Sequence, residues 1–230
     1  MLYRNRGYLP HLELTNSTYF VTFRLAGTLP HQVIEQLRTE RQSILEIAKK
    51  QNRKLNHLEE IRLKYLESTS IQKYLDKGIG DCWLKEPVVS KMVRDSILHF
   101  DGSRYTSHAF CIMPNHLHWV LTPIFVNKAI RQNSALISIM HSIKSYTSHQ
   151  ANKLLKRTGR FWSKEYYDHL IKTSEEFGRI LIYVLENPVK AGLCRNWEDW
   201  PWTMCSKQIR SALTSRVNFE GPPEAGATNR

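Results

Sequence analysis

The stretch that most limits how this chain can fold is a pair of short apolar runs, 107–113 and 117–122, joined at Pro114-Asn115. Two such runs with so tight a connection read as antiparallel strands. Residues i and i+2 of a strand share a face, so His116 and His118 present two imidazoles side by side. Leu117 and Trp119 then face the opposite, apolar side.

The flanking segments fill out the fold. Residues 17–25, with Tyr19, Phe20, Val21, Thr22 and Phe23, are rich in β-branched and aromatic side chains and read as an opening strand, closed by a turn at Gly27…Pro30. From His31 to about Tyr65 apolar residues recur near helical spacing. A weaker helical piece at about 71–77 ends at Gly78-Ile79-Gly80, and Pro87 starts another helix with Val89, Met92, Val93 and Ile97 in its stripe. Helix is expected again over about 135–155, strand over 161–171, and helix from Ser174 to about Glu186, stopped by Asn187-Pro188. This order fits an α+β fold, an antiparallel β-sheet with helices packed on it. Residues 1–207 read as one domain, with 31–104 as a helical elaboration and 208–230 as a flexible tail.

Composition narrows the partners. The 230 residues carry 33 Lys and Arg against 21 Asp and Glu, a net charge of +12, which favours a polyanion such as nucleic acid. No apolar run is long enough to span a bilayer, and no secretory signal follows Met1. Cys82, Cys111, Cys194 and Cys205 are scattered, which gives neither a zinc ribbon nor a disulfide framework and fits a reduced, cytoplasmic protein.

Two constellations carry chemistry. Two imidazoles with an oxygen ligand can hold a divalent metal with open positions, although an HxH pair alone is more often structural. A histidine-triad hydrolase would alternate a further histidine, but Val120 stands there. The second constellation is Tyr183 and Asn187, four residues apart and so on one helical face. A phenol and an amide placed together near the histidines would supply a nucleophile and a third metal ligand. A core aromatic followed by a helix end is the ordinary alternative.

The PNHLH segment at 114–118, the GRFWSKEYYDH stretch at 159–169 and the run Tyr183-x-x-x-Asn187-Pro188-Val189-Lys190-Ala191-Gly192 together resemble the REP-associated tyrosine transposases, relatives of the single-tyrosine HUH transposases. The resemblance covers about residues 5 to 205. It implies a ferredoxin- or RRM-like HUH nuclease core, with His116, His118 and Asn187 as metal ligands and Tyr183 as nucleophile. It also implies Mg²⁺ or Mn²⁺ as cofactor, with manganese the more tolerant of imidazole. The activity implied is nicking and strand transfer on single-stranded, hairpin-containing DNA through a 5′-phosphotyrosine, by a monomer rather than a dimer. Tyr166, Tyr167 and His169 match the family pattern and read as mainly structural. Candidate phosphate contacts are Lys144, Arg160 and Lys190, with Arg4, Arg6, Lys153, Lys156 and Arg157 behind them. Two other readings stay open: a non-catalytic nucleic-acid-binding regulator that keeps the fold, and a phosphoesterase that uses water. Retention of both histidines, the tyrosine and the amide favours the catalytic reading.

Overall fold

A computed structural model describes residues 2–5, 10–13, 17–66, 71–124 and 135–217. A two-stranded antiparallel ribbon, Leu2–Asn5 (β1) with Pro10–Glu13 (β2), precedes the main sheet. Then come Tyr19–Arg24 (β3) and the helices His31–Lys50 (α1), His57–Tyr65 (α2), Ile71–Asp76 (α3) and Pro87–His99 (α4). The hairpin Tyr105–Ile112 (β4) and His116–Pro123 (β5) follows, then Ala135–Leu154 (α5), Tyr167–Leu170 (β6), Ser174–Lys190 (α6), Thr203–Cys205 (β7) and Lys207–Val217 (α7).

The five-stranded sheet has the order β6-β3-β5-β4-β7, with every pairing antiparallel. Without the added edge strand β7, the succession β3-α4-β4-β5-α5-β6 is the split βαβ arrangement of ferredoxin-like folds. Alternation along β3 explains its two faces. Tyr19, Val21 and Phe23 are buried in the larger core with Trp119 and Leu117 of β5, Val89, Val93 and Ile97 of α4, and Ile139 and Ile143 of α5. Phe20, Thr22 and Arg24 point the other way, toward the face that carries the histidines. There a second core joins Ala109, Cys111 and Val120 to Leu181, Val184 and Leu185 of α6. Helices therefore cover both sides of the sheet, and β5 is buried throughout apart from Thr122.

Several boundaries differ from the sequence expectations. The helical pattern from His31 to about Tyr65 forms two helices. Asn52 takes a left-handed φ of 49°, and Asn56 opens α2 with a capping box, its side chain accepting from the Glu59 N–H while Glu59 accepts from the Asn56 N–H. Within the 31–104 elaboration, α4 is core rather than addition, because its stripe packs against the sheet. Strand is confined to 167–170 of the expected 161–171, since Phe161 and Trp162 are sunk into the core and Trp162 makes only a single bridge to Leu25. Helix α6 runs through Pro188 to Lys190, where the Asn187-Pro188 stop was expected. Pro188 is buried, and the Ala191 N–H donates to the Asn187 carbonyl, so the last turn closes despite the missing donor. The tail expected from 208 begins as helix α7, because Ile209 and Leu213, one turn apart, pack on the α6 core. Residues 218–230 lie outside the described residues.

Candidate functional site

The turn at Met113–Asn115 sets the histidines. The Asn115 side-chain amide donates from Nδ2 to the carbonyls of Leu75 (3.2 Å) and Ile79 (3.3 Å), which fixes its Oδ1 toward His116 Nδ1 at 2.7 Å. A carbonyl oxygen only accepts, so His116 carries its proton on Nδ1 and its Nε2 bears a lone pair. That Nε2 lies 3.0 Å from His118 Nε2, and both rings are fully buried. On the far side of His118, Nδ1 lies 2.7 Å from the Thr22 hydroxyl, which serves either tautomer by donating or accepting. Burial draws His116 down to about 3, and burial together with His116 draws His118 well below the ordinary histidine range. Both rings are therefore neutral at pH 7. The two Nε2 atoms converge on one point with their Nδ1 atoms hydrogen-bonded behind them, an arrangement that fits a divalent cation.

Helix α6 brings Tyr183 to this point from the opposite side of the second core. Its hydroxyl lies 3.4 Å from His118 Nε2, and the two rings meet edge to face at 5.2 Å. Asn187, buried one turn on, makes its hydrogen bond to the Tyr183 hydroxyl. Phe20 stacks on His118 at 5.5 Å and meets Tyr183 edge-on at 6.0 Å, so three rings hold one another's angles. Burial and the nearby Asp76 carboxylate raise the Tyr183 phenol above the usual tyrosine value, with the Asn187 hydrogen bond working against them. Lys190 lies 5.6 Å over the Tyr183 ring.

Helix α3 closes the site from above. The Gln72 side-chain nitrogen lies 3.4 Å from His118 Nε2 and donates to Asp76, whose carboxyl is raised by burial. Among the described residues no group of three or more His, Cys, Asp or Glu is arranged to hold a metal.

The other expected residues are divided. Lys144 is largely buried, donating to the carbonyls of Ser163 (2.8 Å) and Lys164 (3.0 Å), and burial lowers it to about 8. It ties α5 to the segment before β6. Arg160 is exposed at the rim of two cavities. His169 pairs with Glu176 at 2.8 Å near the start of α6. Arg6 lies outside the described residues. Thr22, Gln72 and Asp76 are at the site without having been singled out. An alternating strand could have flagged Thr22, but nothing in the sequence pattern points to α3. No described helix is long and apolar enough to cross a membrane.

No family model matches the chain. Over 108 residues it is 26% identical to a Haemophilus influenzae protein assigned as a REP-associated tyrosine transposase, spanning 46% of this chain and 61% of that one. Over 124 residues it is 23% identical to the REP-associated tyrosine transposase of Escherichia coli K12, spanning 54% of this chain and 68% of that one. The match thus spans about three fifths of the length of the first of these relatives. Among solved structures, one titled as a REP-associated tyrosine transposase bound to a REP hairpin aligns with a TM-score of 0.47 and 13% identity, over 96% of this chain and 93% of that one. The two curated relatives bear out the resemblance read from the motifs.

Proposed function

We propose that this chain, a relative of the REP-associated tyrosine transposases, is a DNA-processing enzyme that cuts single-stranded, hairpin-bearing DNA with Tyr183 as nucleophile. The observation that carries this reading is the Tyr183 hydroxyl, 3.4 Å from the nitrogen at which the two buried imidazoles converge. His116 and His118 would hold Mg²⁺ or Mn²⁺ there, with Asn187 as the neighbouring amide ligand. Bound at that point, the ion would draw charge from the scissile phosphate and stabilise the pentavalent transition state.

The chain's own groups account for the rest. Thr22 and Asn115 hold the imidazoles from behind. Phe20 and Asn187 fix the phenol ring and its hydroxyl, which lowers the entropy of reaching an in-line approach. The Tyr183 oxygen forms a bond to phosphorus as the bond from phosphorus to the 3′-oxygen breaks. The phenolic proton leaves to water, and the departing 3′-oxygen takes one up. The products are a 5′-phosphotyrosine and a free 3′-hydroxyl. Because the tyrosyl ester keeps the phosphodiester's free energy, a second 3′-hydroxyl can reverse the step and join strands without ATP. A water nucleophile would forfeit that. At pH 7 the phenol is neutral, as at its ordinary value, and burial raises it further, so its proton must leave as the bond to phosphorus forms.

The test is incubation of the protein with labelled hairpin DNA and Mn²⁺, followed by a denaturing gel. A covalent protein–DNA adduct is expected with native protein and none with Tyr183→Phe. Cleavage that persists in Tyr183→Phe would mean a water nucleophile. Binding without cleavage of any hairpin would mean a binding module that keeps the fold.

A further inference from the structure

The helices between β3 and β4 do more than extend the molecule. Between α1, α3 and the β3–β6 edge of the sheet lies a cavity of about 650 Å³, and Tyr183, Phe20 and Thr22 line its inner end. Its walls are largely apolar, Ile34 and Leu37 coming from α1 and Ile71 and Leu75 from α3. Among the described residues six cationic side chains line it against two carboxylates, Asp76 and Glu165.

Arg24 is the most telling of the six. It stands on β3 directly opposite His116 and faces the histidine side of the sheet. Its guanidinium is mostly buried, and burial lowers it to about 10. Among the described residues its guanidinium hydrogen-bonds to the Thr28 hydroxyl at 2.9 Å, and no carboxylate of theirs stands within ion-pair distance. A cation withdrawn from water without a counter-charge is unfavourable, so a ligand that brings an anion into the cavity would be drawn to it. A phosphodiester matches the planar fork of an arginine. Tyr167, which meets Phe20 edge-on at 6.2 Å, lines the same cavity and adds an aromatic ring on which a base could stack.

We infer that this cavity receives the unpaired DNA strand next to the scissile phosphate, with Arg24 binding one of its phosphodiesters. The inference rests on the reading of the chain as an enzyme of single-stranded DNA and adds the place where the strand lies. The cavity is far too small for a duplex and falls within the usual size of sites for one small ligand, roughly 300–1,000 Å³. It also gives α1 and α3 a task, since without them the sheet edge beside Tyr183 would be open to water.

The experiment uses Tyr183→Phe protein, so that binding is read without cleavage, and fluorescence anisotropy on two hairpins of identical stem, one carrying an unpaired extension and one blunt. The extension is expected to tighten binding roughly tenfold. Arg24→Gln should remove most of that gain and lower the salt slope by about one, with the blunt hairpin bound as before. Arg24→Lys should keep part of the gain. Ile34→Trp fills the cavity without touching a charge and should give the same selective loss, while the blunt hairpin reports that each variant is folded. The inference fails if the extension adds nothing, or if Arg24→Gln and Ile34→Trp both weaken the two hairpins equally or not at all. Failure of Tyr183 attack would leave this binding pattern standing, whereas absence of all hairpin binding would sink both readings.

Discussion

At the residue scale, the site depends on groups that never touch the reacting atoms. Thr22 lies 2.7 Å from His118 Nδ1 and decides which way that ring turns. Thr22→Val keeps the shape and removes the partner, leaving a buried ring nitrogen unsatisfied at a cost of about 1–3 kcal/mol. The partner behind a metal-ligating histidine commonly governs affinity, so Mn²⁺ binding should weaken roughly 10- to 100-fold. Titration of free Mn²⁺ by electron paramagnetic resonance reads this directly. Unchanged affinity in Thr22→Val, beside a complete loss in His118→Ala, would show that Thr22 only packs. The i, i+2 and i, i+4 spacings made the two histidines and the Tyr183–Asn187 pair legible from the sequence, because both periodicities are local. Gln72 was not legible, since it meets His118 across 46 residues of chain and its own short helix shows no distinctive pattern.

Elements were legible where their apolar spacing was strong, as in the β4–β5 hairpin and α5, and less so where a tertiary contact decides. Helix α6 passes Pro188 because that residue is buried at its final turn, and α7 forms because the α6 core offers it a surface. The docking of α3 is the sharpest case. The turn after it contains Gly80, with φ +79°, and a Cβ there would collide with the carbonyl oxygen of Gly27, itself at φ +81°. The same turn supplies the Ile79 carbonyl that, with Leu75 of α3, positions Asn115 behind His116. Two glycines far apart in sequence are thus one joint, and no local pattern could have paired them. Gly80→Ala should cost several kcal/mol, since the left-handed strain of about 1–2 kcal/mol adds to a clash with rigid backbone. Urea unfolding measures the loss. A Gly80→Ala protein as stable as the native one would mean that the turn does not hold α3 against the site.

At the scale of the whole molecule, the proposed function draws binding and chemistry from different groups. The net charge of +12 comes from Lys and Arg, while His116 and His118 are held neutral by burial and add nothing to it at pH 7. Charge was the easiest property to read from the sequence, because it is a sum over residues and needs no fold. That the two histidines contribute nothing to it was invisible until burial was known. Chelation should therefore abolish cleavage yet change hairpin affinity by no more than a few-fold. Salt should act on affinity itself. If six to ten phosphates are contacted, affinity should fall roughly 10³- to 10⁵-fold between 50 and 200 mM, because each contact releases condensed counterions. Anisotropy titrations with and without EDTA, across a salt series, separate the two effects. A loss of affinity on chelation as large as that produced by salt would place the cation among the main binding contacts.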